Sequence, residues 1–506
     1  MKQSHYISEF LKKYYFYIIS GLLILIQLVF SLRFMGRQYL SLDEVSQIGF
    51  IVKKNPWSSI IDYYLTSEVT NLPLWPLLAA LWYRVMPYGE GWLRLLTVLL
   101  TSLSIIIMIK AAKEYRNEKT ALLMAALTCI SSVIMHKCGL TFRVHAFWMV
   151  FTALVLWRYF VRLNEAGKES VKNIVILGLA MAGLAYSHYF GCLTIAYLFI
   201  TDLVLFLRKY VGKSFIISYL IAGISLLPWM ILVITRRTMD LNDFWPKTPT
   251  FESIPKALLY IVSKDEAVFI LLIVAMIAAF LLLLRSSLNG GKDWEVLFVR
   301  FSLAFMPLIF AVGDYIYSAH INPRAGIFVL RYFLSVLPAA LLSVALVLSE
   351  ILDRLSEKLD ISEFLSYGTV LIFLVVYIGA PNYYHDVKDE VSAPFDNTYG
   401  NVSEAVKDDE GLKNGHSVIA INANRANADG FEEYYFGRGK AGSDIHVISN
   451  DDSDTADRFR DADRIYVYQV MGGTPDVFTG IMGTDFREVS FDKDISLYTY
   501  ERVKRK

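Results

Sequence analysis

Between residues 14 and 380 the sequence returns repeatedly to apolar runs of about 18 or more residues, each long enough to cross about 30 Å of hydrocarbon as a helix. A soluble chain of 506 residues has no interior for so many runs, and 55% hydrophobic with 14% aromatic residues is too apolar for one. The expectation is a polytopic α-helical membrane protein. Candidate spans are 14–34, 92–109, 120–136, 145–161, 173–188, 190–207, 214–234, 267–284, 296–313, 330–349 and 364–380, about 11 transmembrane helices. The stretch LPLWPLLAALWYRVMP (72–87) is apolar but short and holds Pro73, Pro76 and Arg84, so it reads as a helix lying in the interface. The amino terminus lacks a small-residue cleavage site before its first run and reads as a retained anchor.

After residue 380 the composition changes. Residues 381–506 hold no run able to span a membrane and carry 24 acidic against 15 basic residues, net −9; residues 1–380 carry 34 basic and 24 acidic, net +10. A membrane-embedded domain (1–380) and a soluble domain (381–506) follow from that contrast. The soluble part alternates strand-like runs, SVIAIN, DIHVIS and RIYVYQV, with helix-like ones, ADGFEEYYFG and SDTADRFRDA, and closes on FREVSFDKDISLYTYER, one or two edge strands. This is the pattern of a small α/β layer domain, and it contains no Gly-rich phosphate loop. The connections 110–119, 158–172 and 208–213 are rich in Lys and Arg, as is the amino terminus, so the positive-inside tendency puts all four in the cytoplasm. The loops 35–91 and 235–266 and the α/β domain then lie outside it. Cys129, Cys138 and Cys192 all sit in or beside apolar runs, which points to packing rather than disulfides.

With that topology the ionisable residues at span ends gather on the outer side. Asp43 and Glu44 follow the first span; Arg143 and His145 precede the fourth; His188 and Tyr189 lie between the fifth and sixth; Arg324, Arg331 and Tyr332 come between the ninth and tenth. Charged groups cost about 2.5 to 3.5 kcal/mol each near the bilayer centre and less near its surface, so a cluster of them is a functional hypothesis by default. The chemistry that suits it is transfer of a group from a phosphorylated lipid: a carboxylate at the water boundary takes the proton of an acceptor hydroxyl, while guanidinium groups hold the departing phosphate. An inverting displacement at a sugar carbon needs those two functions on opposite faces of the ring.

These residues also carry a resemblance. The Asp43-Glu44 pair soon after the first span, the Pro-containing NLPLWPLL, the run GWLRLLTVLL, an arginine before the fourth span, the HYFG turn and the late LRYFLSVLPA together resemble the type-C glycosyltransferases, in particular the protein O-mannosyltransferases and the lipid A aminoarabinose transferases. The likeness covers nearly all of residues 10–380. It implies a polyprenyl-phosphate-linked sugar donor, an extracytoplasmic active site, Asp43 as catalytic base and phosphate binding by Arg143 and Arg331. Where relatives often read Arg-Pro-Tyr, this chain reads Arg143-Val144-His145.

The expected function is therefore an inverting membrane glycosyltransferase with Asp43 and Glu44 as the catalytic pair. Arg143, Arg324, Arg331 and Tyr332 are expected at the donor phosphate, and His145, His188 and Tyr189 as donor or acceptor contacts. Each has an ordinary alternative. Ser41-Leu42-Asp43-Glu44 fits a helix capping box that would occupy Glu44, the arginines could snorkel to head groups, and His188 could be a packing histidine. His136, His145, His188 and His320 could join the carboxylates around a divalent cation, although their spacing matches no ligand motif. Loop 235–266, with Arg236, Arg237, Lys247, Lys256 and Lys264, reads as a lid or acceptor gate. The expected partners are the lipid-linked sugar, an extracytoplasmic acceptor and membrane lipids, with no nucleic acid, and the expected place is a plasma (inner) membrane. A transporter or lipid flippase would instead show repeat symmetry and midplane charges, and a scaffold would depend on the acidic domain rather than on Asp43. Sugar and acceptor are not written in the sequence.

Overall fold

The structure is a computed structural model and describes residues 2–51, 58, 60–62, 72–165, 170–236, 248–291, 293–323, 326–382, 388, 398–437, 445–470 and 476–503. Each of the eleven apolar runs falls on helix. Among the described residues seven helices are long and apolar enough to cross a membrane: Tyr14–Phe34, Glu90–Tyr115, His145–Asn164, Tyr189–Leu207, Phe215–Thr235, Glu266–Leu288 and Trp294–Ile321. The other four runs are shorter, interrupted or charged. The run 120–136 divides into Glu118–Cys129 and a π turn at Ile134–Gly139, and 330–349 opens as a 3-10 turn, Leu330–Ser335, ahead of the Leu337–Leu359 helix that Pro338 starts. Side-chain caps fix the beginnings of several helices. Asn117 accepts from Thr120 N, Asp265 from Val268 N (both 2.9 Å) and His188 from Phe190 N. The Leu74–Val85 helix has 12 residues, about 18 Å by helical rise, well short of the hydrocarbon thickness, in keeping with an interfacial helix.

The carboxyl-terminal unit is a five-stranded sheet of β1 (Ser417–Ile421), β2 (Val447–Ser449), β3 (Arg464–Tyr468), β4 (Phe486–Asp492) and β5 (Leu497–Arg502). Their order is β2-β1-β3-β5-β4. The first three are parallel, as crossovers through the helices Arg425–Phe431 and Thr455–Asp461 require, while β5 runs antiparallel to both β3 and β4. The final segment is thus two strands, of which only β4 is an edge. β5 lies inside the sheet because its register with β3 pairs Ile465 with Tyr500 and Tyr468 with Leu497.

Alternation along the strands gives the sheet two different faces. Ile419, Ile421, Tyr466 and Tyr468 join the same continuous core as the membrane helices, together with Phe431, Tyr434 and Tyr435. Ala420, Ile448, Ile465 and Val467 face the other way, under Phe459 and Phe478. One face of the carboxyl-terminal unit is therefore built into the core of the helical body, and the element it meets there is the short helix Leu42–Ile51.

Candidate active site

The Leu42–Ile51 helix starts with two acids whose side chains diverge, because successive helical residues point about 100° apart. Glu44 is fully buried. Its oxygens accept from Arg94 Nε (2.9 Å) and Nη2 (2.8 Å), from the Ser41 amide (2.9 Å) and hydroxyl (3.0 Å), and from the Phe142 amide (2.6 Å). The reach back to the Ser41 amide is half of the expected capping box; the Ser41 hydroxyl, which the box would turn to the third helical amide, donates to Glu44 instead. Burial alone raises the Glu44 carboxyl, and Arg94 with the two amides more than reverses this and holds it below the usual glutamate value. Arg94 also donates to the carbonyls of Met35 (3.1 Å), Gln38 (2.7 Å) and Tyr39 (3.0 Å). One guanidinium thereby fixes the end of the first span, the turn after it and the acid-bearing helix.

Asp43 points the other way, into a partly open site where its side chain keeps 39% exposure. Arg331 Nη1 donates to Asp43 Oδ2 at 2.9 Å, Arg143 Nη1 donates to the Asp43 carbonyl at 2.9 Å, and Arg143 Nη2 lies 3.7 Å from Oδ2. Burial pushes the Asp43 carboxyl up, but Arg143 and Arg331, with smaller help from His145 and Lys137, outweigh it and hold the group below the ordinary aspartate value. Arg143 is delivered by the turn whose Phe142 amide binds Glu44, and Arg331 by the Leu330–Ser335 turn. Two guanidinium groups around one carboxylate leave the site with a net positive charge.

The remaining expected residues separate. His188 is buried, stacks on Trp148 (centroids 4.3 Å, 9°) and accepts from the Phe190 amide through Nδ1 at 3.2 Å, so its place is a helix cap beneath the site. Tyr332 is also buried, with its ring 5.0 Å from His188 and 4.9 Å from Phe190, so consecutive residues send Arg331 to Asp43 and Tyr332 into the wall behind it. His145 lies buried at the start of the His145–Asn164 helix with Nδ1 3.2 Å from the Lys137 carbonyl. Tyr189 turns away, its hydroxyl accepting from Trp229 Nε1 at 3.1 Å. Arg324, and in the 235–266 loop Arg237 and Lys247, lie outside the described residues. The described part of that loop contains an amphipathic helix, Ser253–Ile261, on which Lys256 is exposed beside Glu252. Among the described residues no group of three or more His, Cys, Asp or Glu side chains comes together as a metal site would require.

Sequence reasoning passed over Arg94. Its signal was present: it is the one charge in GWLRLLTVLL, and an ionisable residue in an apolar run needs a buried partner.

No protein-family model matches the chain, and neither does any curated protein. Solved structures do. The apo lipid A aminoarabinose transferase ArnT from Cupriavidus metallidurans matches with a TM-score of 0.60 at 12% identity, over 96% of this chain and 97% of that one. The same enzyme bound to undecaprenyl phosphate matches with 0.57 at 12% identity, over 96% and 98%. The archaeal oligosaccharyltransferase AglB from Archaeoglobus fulgidus, in complex with an inhibitory peptide and a dolichol-phosphate, matches with 0.51 at 10% identity, over 90% and 70%. At these identities what is shared is the fold, and with seven long apolar helices among the described residues the chain is an integral membrane protein.

Proposed function

We propose that the chain transfers a sugar from a polyprenyl-phosphate carrier to a hydroxyl of a lipid, glycan or protein acceptor, with inversion at the sugar carbon. Asp43, held between Arg143 and Arg331, is the observation that carries this reading. The acceptor O–H gives its proton to Asp43 as its oxygen attacks the anomeric carbon; the bond from that carbon to the phosphate oxygen breaks, and its electron pair leaves with the polyprenyl phosphate. Arg143 and Arg331 neutralise the charge that develops there, and Arg324, whose position lies outside the described residues, is assigned the same role from sequence alone. A carboxylate held low is a weak base, and a phosphate arriving at the same guanidinium groups takes a share of their charge, which relieves their hold on Asp43 when the proton must be taken. Glu44 stands behind this chemistry as a positioning residue. Tyr332 and His188 form the wall, His145 lies close enough to act on the Asp43 carboxyl, and Tyr189 faces Trp229 instead.

The likeness to solved structures of enzymes bound to undecaprenyl phosphate or dolichol-phosphate supports a polyprenyl phosphate as the carrier. The charge bias of the short loops supports a cytoplasmic amino terminus, with the site and the domain after residue 380 on the outer face of a plasma membrane. Mass spectrometry of polyprenyl-phosphate sugars in native cells tests the reading. One such lipid accumulates in cells carrying Asp43→Asn at matched protein level; unchanged lipid pools with folded, abundant variant protein overturn it.

A further inference from the structure

The ten-residue helix that begins with Leu42 and Asp43 is held by Arg94 through Glu44 and also packs against the carboxyl-terminal unit. There it crosses the Arg425–Phe431 helix at backbone contact. Gly49 lies against the Ala426 carbonyl, and Gly430 lies against the Val45 carbonyl with the Gly49 amide nitrogen 3.0 Å from where its Cβ would stand; a methyl group on either glycine would overlap a backbone oxygen. Such reciprocal glycines let two helices approach closely enough for Cα–H groups to face carbonyl oxygens. The same surface holds the segment leading into the helix. The Leu40 amide donates to the Tyr435 hydroxyl at 3.1 Å, the Tyr39 ring meets Tyr435 with centroids 6.3 Å apart, and Gly400 lies directly on the Tyr39 ring.

We propose that the carboxyl-terminal domain is a positioning element for the catalytic base, setting through the Gly49–Gly430 crossing where Asp43 stands between Arg143 and Arg331. This rests on the reading of Asp43 as the base. The two arginines come from other elements, so a helix displaced by one methyl radius moves Asp43 relative to both. The 2.9 Å contact to Arg331 does not survive such a shift. A misplacement of about 1 Å at a reacting group can cost about 100-fold in rate.

The test uses full-length protein in isolated membranes, with a lipid extract of Asp43→Asn cells as donor, and follows consumption of the accumulated sugar lipid. Gly430→Ala lowers the saturating rate by about 10-fold or more while the half-saturating amount of extract stays within about threefold, since neither arginine is touched. It also moves the acid limb of the rate to higher pH, because the base leaves the field of Arg143 and Arg331; His145 and Lys137, which also face Asp43, are unchanged. A purely structural defect would lower the amount of active protein without moving that limb. Gly480→Ala, in the same domain with open space around it, behaves as wild type. If Gly430→Ala keeps the wild-type rate and limb while Asp43→Asn is inert, the positioning role is refuted and the base assignment stands. If Asp43→Asn is itself active, the assignment fails and this inference with it. Should Gly430→Ala not fold, Tyr435→Phe decides, since it removes only the acceptor of the Leu40 amide: a lower saturating rate with a raised acid limb supports the proposal, and wild-type behaviour overturns it.

Discussion

Arg331 donates to the Asp43 carboxylate at 2.9 Å although 288 positions separate them in the chain, and Arg143, from a third segment, holds the carbonyl of that same aspartate. Three elements that share no local sequence thus converge on one acid.

The electrostatics predict a pH profile. Asp43 is kept ionised below the usual aspartate pKa of about 3.9, so under the proposed role as base the rate is complete above that value and falls only as pH drops through the lowered one. Arg331→Gln removes one of the two opposing charges and lets burial prevail, so the acid limb moves upward. A rate–pH profile of the two proteins with the same donor extract checks this; coincident limbs contradict it.

Glu44 and Arg94 are 1% exposed in their side chains and bind each other through two hydrogen bonds. Glu44→Gln leaves the guanidinium buried without its counter-charge, a change that typically costs about 3–5 kcal/mol. The expected outcome is a much lower thermal denaturation midpoint in detergent. Because the folded-state pKa of Glu44 is lowered, its contribution is present above the ordinary glutamate value and is lost as pH falls through the lowered one. Stability of the wild type therefore drops at acid pH more steeply than that of Glu44→Gln.

A second buried charge pair offers a contrast. Asp202 accepts from Arg162, from the Tyr159 hydroxyl at 3.0 Å and from the Tyr219 hydroxyl at 2.7 Å, with Arg162 and Asp202 fully buried. This knot lies about 25 Å along the His145–Asn164 helix from His145, by helical rise. Asp202→Asn is expected to lower the melting temperature much as Glu44→Gln does, while the rate per folded molecule and the acid limb stay at their wild-type values.

His188 serves both as cap and as wall, and the two uses can be separated. His188→Asn keeps an acceptor for the Phe190 amide, whereas His188→Ala loses it at a further cost of about 1 kcal/mol. Both lose the stack on Trp148 and the contact with Tyr332. The asparagine variant is therefore the more stable of the two in thermal melts, and both need more donor extract for half-saturation than wild type.

Much of this architecture is legible in the chain because membrane insertion and period-two strands leave local marks. The eleven apolar runs are helices and SVIAIN, DIHVIS and RIYVYQV contribute β1, β2 and β3, since each pattern is read within one element. Asp43, Arg143 and Arg331 could be grouped because charges at span ends are costly and the topology puts all three on one side. The partner of Glu44 needed one further step, asking what Arg94 pairs with inside its apolar run. The docking of the carboxyl-terminal domain was not legible at all. Gly49 and Gly430 look like ordinary glycines until two helices, 381 positions apart at those residues, are found in backbone contact. The inner place of β5 was missed for a similar reason, since its neighbours follow from the course of the chain rather than from its own alternation.

The central claim is that Asp43 takes the acceptor proton while the arginines hold the donor. Purified wild-type and Asp43→Asn proteins, reconstituted in liposomes with the sugar lipid that accumulates in the mutant cells and with membrane extract as acceptor, test it most directly by following both lipid binding and release of free polyprenyl phosphate. Both proteins are expected to bind the lipid comparably, with wild type releasing free polyprenyl phosphate and Asp43→Asn doing so at least about 100-fold more slowly. Release by Asp43→Asn at the wild-type rate would contradict that claim.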